Sequence, residues 1–257
     1  MNRKERPSKR AERRKQASSE IADLTMTQFA RARRKRRTVI IPLGSTEEHG
    51  PHLPLDADTI IAREIARRAA ADTGALVAPA LSYGVCTSTA LHPGTVGISP
   101  DTFRALLRDL VRGFHAQGMK SFVLLTGHAG GLHVNAMREV GEEMLFALPD
   151  IRVALLSAYD LMKSETADLV ETKGDSHAGE METSCLLAIA PGLVTGTAKK
   201  EYPTFPESVL VRKKTLYWKG GVWGDPAKAS AAKGEEILRR VSSRAAEVVR
   251  DLERFRE

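Results

Sequence analysis

Four short runs in this chain, Thr38–Leu43, 75–80, Ser121–Thr126 and Arg152–Ser157, are rich in Val, Ile, Leu and Ala and nearly free of charge. Runs that are apolar on both faces suit buried parallel strands, which need cover on either side of the sheet. Between them the spacing predicts helices. Residues 58–71 put apolar side chains at 60, 61, 65 and 66 and charge at Arg63, Glu64, Arg67 and Arg68. Residues 99–117 open on Ser99-Pro100-Asp101, an N-cap followed by proline at the first helical position. Phe103, Leu106, Leu107, Leu110, Val111 and Phe114 then recur at helical spacing, and 134–146 and 235–255 repeat the pattern. Strand–helix alternation over this length predicts an α/β fold, a single layered domain with a mostly parallel β-sheet flanked by helices. A chain of 257 residues suits one such domain.

That topology says where chemistry belongs, because open α/β sheets gather ligands beyond the carboxyl ends of their strands. Directly behind the first run, residues 40–58 read IIPLGSTEEHGPHLPLDAD and carry Glu47, Glu48, His49, His52 and Asp58. Mixed carboxylate and imidazole donors suit Zn²⁺, Mn²⁺ or Fe²⁺. His128 follows the third run at once, in TGHAGG, and a polar cluster, 175–184, precedes an apolar helix expected at 185–190. Three remote segments rich in His and carboxylate therefore converge on one pocket. Glu48, between two candidate ligands, is placed to orient them or to shuttle a proton. His52 is expected to support its proline-stiffened loop, and His133 to face the start of its helix. Glu180 suits a helix first turn, and the aromatic residues near Gly220-Gly221 suit core or interface packing, with a cover over the pocket as the alternative.

Charge is unevenly distributed. Residues 1–37 hold 14 Lys/Arg against 4 Asp/Glu, so a chain of net charge +7 has a mildly acidic remainder. The basic leader is expected to be a solvated extension, with nucleic acid or an acidic partner as the alternative use. No apolar run approaches the roughly 20 residues of a membrane span or resembles a signal-peptide core. Cys86 and Cys185 match no ligand spacing. Together these features predict a cytoplasmic protein.

The ordered motifs GSTEEHGPHLPLDAD, LLTGHAGG, SHAGEMETS and GVWGDP resemble those of the creatininase (creatinine amidohydrolase) family, which includes the peptidase of mycofactocin maturation. The resemblance runs from about Leu24 to the C-terminus, leaving 1–23 as the extension and 24–257 as a metallohydrolase domain. It implies one or two divalent metal ions, hydrolysis of an amide or cyclic amide, and a homo-oligomer, often a hexamer. By resemblance, Glu47 is a terminal ligand on one ion, His49 a ligand on the other, and Asp58 the bridge. His128 joins the ion held by Glu47, and His177 matches the catalytic histidine. Creatininase carries a metal-binding glutamate two residues after the His128 position, where this chain has Gly130, so Glu182 is assigned as the fifth ligand.

In this chemistry the ions lower the pKa of a water from 15.7 to about 7. His177, with an ordinary pKa of about 6.5, protonates the departing amine. Lys173-Gly174 and Ala129 stand where creatininase has Trp-Asp and Tyr, which argues against creatinine as substrate. The expected substrate is a small amide, lactam or formamide. A short peptide and a non-catalytic, nucleic-acid-associated role through the leader are the alternatives.

Overall fold

A computed structural model describes residues 18–256. The chain enters through a short helix α1 (Met26–Ala32), held at its start by a reciprocal Thr25/Gln28 capping box, and passes into strand β1 (Thr38–Leu43). There follow α2 (Ala57–Thr73), β2 (Leu76–Val77), α3 (Pro100–Ala116), β3 (Ser121–Thr126), α4 (Gly131–Ala147), β4 (Arg152–Ser157) and α5 (Ala158–Glu165). Two further helices, α6 (Glu180–Ile189) and α7 (Ala231–Arg254), complete the body. All pairings are parallel and the strand order is β2-β1-β3-β4. This is the predicted single α/β domain.

Strand alternation sorts the core into two layers. Ile40, Val123 and Leu125 point toward α2, α6 and α7, and pack with Ile61, Ile65, Leu186, Ile237 and Val241. Val39, Ile41, Phe122 and Leu124 point the other way, against Phe103, Leu107 and Val111 of α3 and Met137 and Val140 of α4. β1 and β3 are buried along their whole length because both of their faces are covered, whereas the edge strand β4 is mostly half-buried.

β2 is shorter than the 75–80 expected. Beyond Val77 the chain meets Pro79, and the facing residue of β1 is Pro42, which has no N–H to offer. The carbonyls of Ile40 and Pro42 both accept from this side, from Ala78 and Leu81, so the proline's missing donor faces where the ladder has ended.

The expectation of an extension over 1–23 falls partly outside the described residues. Those that are described, Ser18 onward, run along β2. The Ser19 carbonyl accepts the Val77 amide at 2.8 Å, and Glu20 bonds Arg63 of α2 at 2.6 Å. Among the described residues no helix is long and apolar enough to cross a membrane.

Candidate metal centre

The strand order reverses direction between β1 and β3, and the loops leaving those two strands build the site. After β1 the chain folds back on itself, the Glu47 amide donating to the Leu55 carbonyl at 2.9 Å. Asp58 then falls in the first turn of α2, where the helix N-terminus favours a carboxylate. β3 must end very close to that turn, and Gly127 makes this possible, since a Cβ there would run into the Asp58 carbonyl. His128 emerges beside Asp58 as a result.

Backbone carbonyls fix both imidazoles. A carbonyl only accepts, so His49 donates Nδ1–H to the Glu47 carbonyl at 3.0 Å and turns Nε2 inward. His128 donates Nε2–H to the Val85 carbonyl at 3.1 Å and turns Nδ1 inward. The two inward nitrogens meet opposite oxygens of one carboxylate. His49 Nε2 lies 3.2 Å from Asp58 Oδ1, and His128 Nδ1 lies 3.1 Å from Asp58 Oδ2. Glu47 Oε2 is 2.7 Å from His128 Nδ1, and Glu182 Oε2 is 3.9 Å from His49 Nε2. Glu47, His49, Asp58, His128 and Glu182 are thus brought together, in two groups that share Asp58.

The third segment begins one helical turn earlier than expected. α6 starts at Glu180, so Glu182 projects from its first turn and accepts the Ala178 amide at 2.5 Å. Asp175 caps that end, accepting the Glu180 and Met181 amides at 2.8 and 2.9 Å. Burial raises its pKa to about 6 in spite of these donors. His177 stacks on His49 with ring centroids 4.3 Å apart. Its Nε2–H donates to the Glu48 carbonyl at 2.8 Å, leaving Nδ1 as the nitrogen to exchange a proton. The Glu48 carboxylate holds the Gly50 amide through Oε2 at 2.9 Å. Its Oε1 is buried, has no hydrogen-bond partner among the described residues, and lies 3.7 Å from His177 Nε2.

Charge in this cluster is balanced by protons on histidine. Burial alone would depress His49, but Asp58, Glu182 and Glu47 outweigh it and raise its pKa to about 10. His128 is raised likewise, against its burial, by Glu47 and Asp58. Burial pushes Glu47 up, yet His128 pulls it down to about 2, and Asp58 falls well below the usual carboxylate range between its two histidines. Glu182, without such a partner at contact distance, is raised by burial. Glu47, Asp58 and Glu182 are each at most 6 % exposed. Carboxylates buried so deeply need compensating cations, and inward-facing imidazoles oriented by carbonyls are typical metal ligands. The donor set therefore fits divalent cations on either side of Asp58.

Other histidines take structural positions. His52 Nε2 bonds Thr183 Oγ1 at 2.9 Å, and His133 Nδ1 accepts the Val85 amide at 3.3 Å. Glu180 sits in a first turn as expected, but it is fully buried and pairs with Lys233 of α7. Ser45, Thr89 and Cys86 lie at the site without having been singled out from the sequence as part of it. Ser45 donates to Asp58 Oδ2 at 2.7 Å, and Thr89 donates to Glu47 Oε1. Cys86 has its sulfur near Glu47 and His128, one donor atom of each of the three lying within 4.8 Å of the others. Trp218, expected to be core or interface with a pocket cover as the alternative, packs edge-on against His177 at 5.2 Å while its carbonyl receives His92 at 2.8 Å. The GVWGDP motif nearby also signalled that this segment reaches the site.

Comparison with known proteins agrees with this geometry. The creatininase family model, described as creatinine amidohydrolase, matches residues 22–249. A mycofactocin precursor peptide peptidase of Mycobacterium tuberculosis is 33% identical over 221 residues, covering 78% of this chain and 80% of that protein. The creatinine amidohydrolase of Pseudomonas putida is 28% identical over 241 residues, covering 85% and 91%. Among solved structures, a zinc–zinc form of a creatininase variant superposes with TM-score 0.80 at 26% identity, covering 91% of this chain and 98% of that one. A manganese form gives TM-score 0.78 at 26% identity and the same coverage. Similarity of this extent, along nearly the whole domain, shows that the chain belongs to the creatininase family of hydrolases.

Proposed function

We propose that this chain is a metal-dependent amidohydrolase, cleaving the C–N bond of a small amide, lactam or formamide. The observation that carries the proposal is Asp58, whose two oxygens face inward-turned imidazole nitrogens from two different loops. One carboxylate can bridge ions about 3.5–4 Å apart. Glu47 and His128 would hold one ion, His49 and Glu182 the other, Zn²⁺, Mn²⁺ and Fe²⁺ all being compatible with the donors. Bound ions would supply an activated water and polarise the scissile carbonyl. His177 holds its Nε2 proton on the Glu48 carbonyl and delivers a proton from Nδ1 to the departing amine. Glu48 positions His177 through its backbone carbonyl, and its unpartnered Oε1 lies on the same Nε2 side of the ring. Trp218 and Gly221 close over this side, the glycine at φ 66 leaving no room for a side chain against Glu48. Such enclosure supports a small substrate.

A short peptide is the second reading, favoured by the 33% identity to the mycofactocin precursor peptidase. A homo-oligomer is part of the proposal on family grounds. The test is metal analysis of protein purified without chelator, followed by hydrolysis assays on small amides, lactams, formamides and short peptides, with Asp58→Ala alongside. Amine release from the small compounds, with metal and activity both lost in the variant, is the expected result. Turnover of peptides alone would select the second reading, and two ions retained by Asp58→Ala would remove the bridge.

A further inference from the structure

We propose that Cys86 is an additional ligand, its thiolate joining Glu47, Asp58 and His128 on one of the two metal positions. The inference rests on the metal-centre reading above. Three features fix the sulfur there. The backbone at Val85 is pinned on both sides, its carbonyl by His128 and its amide by His133, so the next residue follows the His128 ring. Behind Cys86 the chain passes at Gly97, where even an added Cβ would press on its backbone and Cβ at 3.2 and 3.4 Å. The side chain is 4 % exposed, and its sulfur already lies within 4.8 Å of a donor atom of Glu47 and of His128. Tetrahedral donors around a zinc ion at about 2.0–2.3 Å stand about 3.3–3.8 Å apart, so a contraction of about 1 Å completes the set.

The two positions then differ in kind. One has oxygen, nitrogen and sulfur donors, the other His49, Asp58 and Glu182 with nitrogen and oxygen alone. Thiolate favours Zn²⁺ and Co²⁺ over Mn²⁺, so the Cys86 position retains zinc while the other exchanges among ions. As the metal–sulfur bond forms, the Cys86 thiol releases its proton to solvent, one per ion bound.

The experiment loads the protein with Co²⁺ and records its absorption spectrum. The chain has only two cysteines, so a thiolate-to-cobalt charge-transfer band must come from Cys86 or Cys185. Cys185 is buried against Met162, outside the cluster, and Cys185→Ser serves as the control. The expected result is a near-ultraviolet band in the wild type and in Cys185→Ser, absent from Cys86→Ser. The Cys86→Ser variant also loses its zinc-over-manganese preference by more than about tenfold. Wild-type protein that binds cobalt without the band overturns the assignment and leaves the metal centre standing, as does a band that persists in Cys86→Ser. Protein that binds no cobalt overturns the metal centre and the thiolate with it.

Discussion

Gly130→Ala is a small change with a large expected consequence. A Cβ at this position would sit about 1 Å inside ordinary contact with His128 Nε2, and 3.0 Å from Cε1 and 3.2 Å from Cδ2. The glycine is not needed for its backbone, whose φ of −56° any residue adopts. The side chain alone causes the conflict, and the ring must give way. Moving it by about 1 Å breaks the bond to the Val85 carbonyl, worth about 1 kcal/mol, and swings Nδ1 away from Glu47 and Asp58. Metal–ligand distances tolerate only about 0.2 Å, so the displaced imidazole ceases to be a ligand. Overpacking adds about 1–3 kcal/mol of instability. The affinity at that position should fall by at least about 10–100-fold, or about 1.4–2.7 kcal/mol. Competitive titration against a chromophoric chelator reads this directly, with circular dichroism to confirm folding. A folded Gly130→Ala protein that binds two ions at wild-type affinity would refute the reasoning. The same steric fact bears on the proposed fifth ligand: position 130 has no room for a glutamate as the loop stands, which supports the proposal of Glu182.

His177→Ala should keep both ions by metal analysis and lose about 10²–10⁴ of turnover, as expected for a missing acid–base group; wild-type rates would move the proton role elsewhere. Metal uptake at pH 7 should expel a proton from His49, whose pKa in the metal-free protein is about 10, so affinity climbs as pH rises toward that value. Calorimetry in buffers of different ionisation enthalpy measures this, and uptake without proton release would sink it. In the metal-free protein the raised pKa of His49 means its contribution to stability is full below about 6.5 and is lost as pH rises through about 10. Lys233→Met should strand the buried Glu180 with only the Glu171 and Thr172 amides as partners, at a cost of about 3 kcal/mol. In a domain of this size that lowers Tm by about 6–12 °C in a thermal melt; an unchanged Tm would show the pair to be dispensable.

The layers and the site were legible in the sequence to different depths. Three of the four strands follow from runs that are apolar on both faces, a pattern with few alternatives. The apolar run 75–80 overextends β2 because it does not reveal that its neighbour offers Pro42 where a donor is needed. The apolar pattern starts α6 late because its first turn carries the charged Glu180 and Glu182, which read as loop until the Asp175 cap is seen. Glu47, His49, Asp58 and His128 follow strand ends and were visible as donors at positions topology makes functional. Ser45, Thr89 and Cys86 carry no such mark. Thr89 and Cys86 reach the donors because the 80–98 segment folds across the mouth of β1, and Ser45 because the chain turns back to bring Asp58 against it, tertiary facts without a local pattern. Trp218 is a mixed case, since an indole near glycines reads as packing first and as a pocket cover second, and only the fold sets it against His177.

Asp58 joins pieces of chain that are far apart in synthesis. No ion can be caged until the strand before His128 has paired beside β1, and the second position waits for α6. On the proposed assignment the metal would be chosen by a nearly finished molecule, from the ions around it at that moment, and not by the nascent chain. A loaded centre would, on the same assignment, clasp the first half of the domain to its later helices, so a chelator should loosen α6 before it disturbs the sheet.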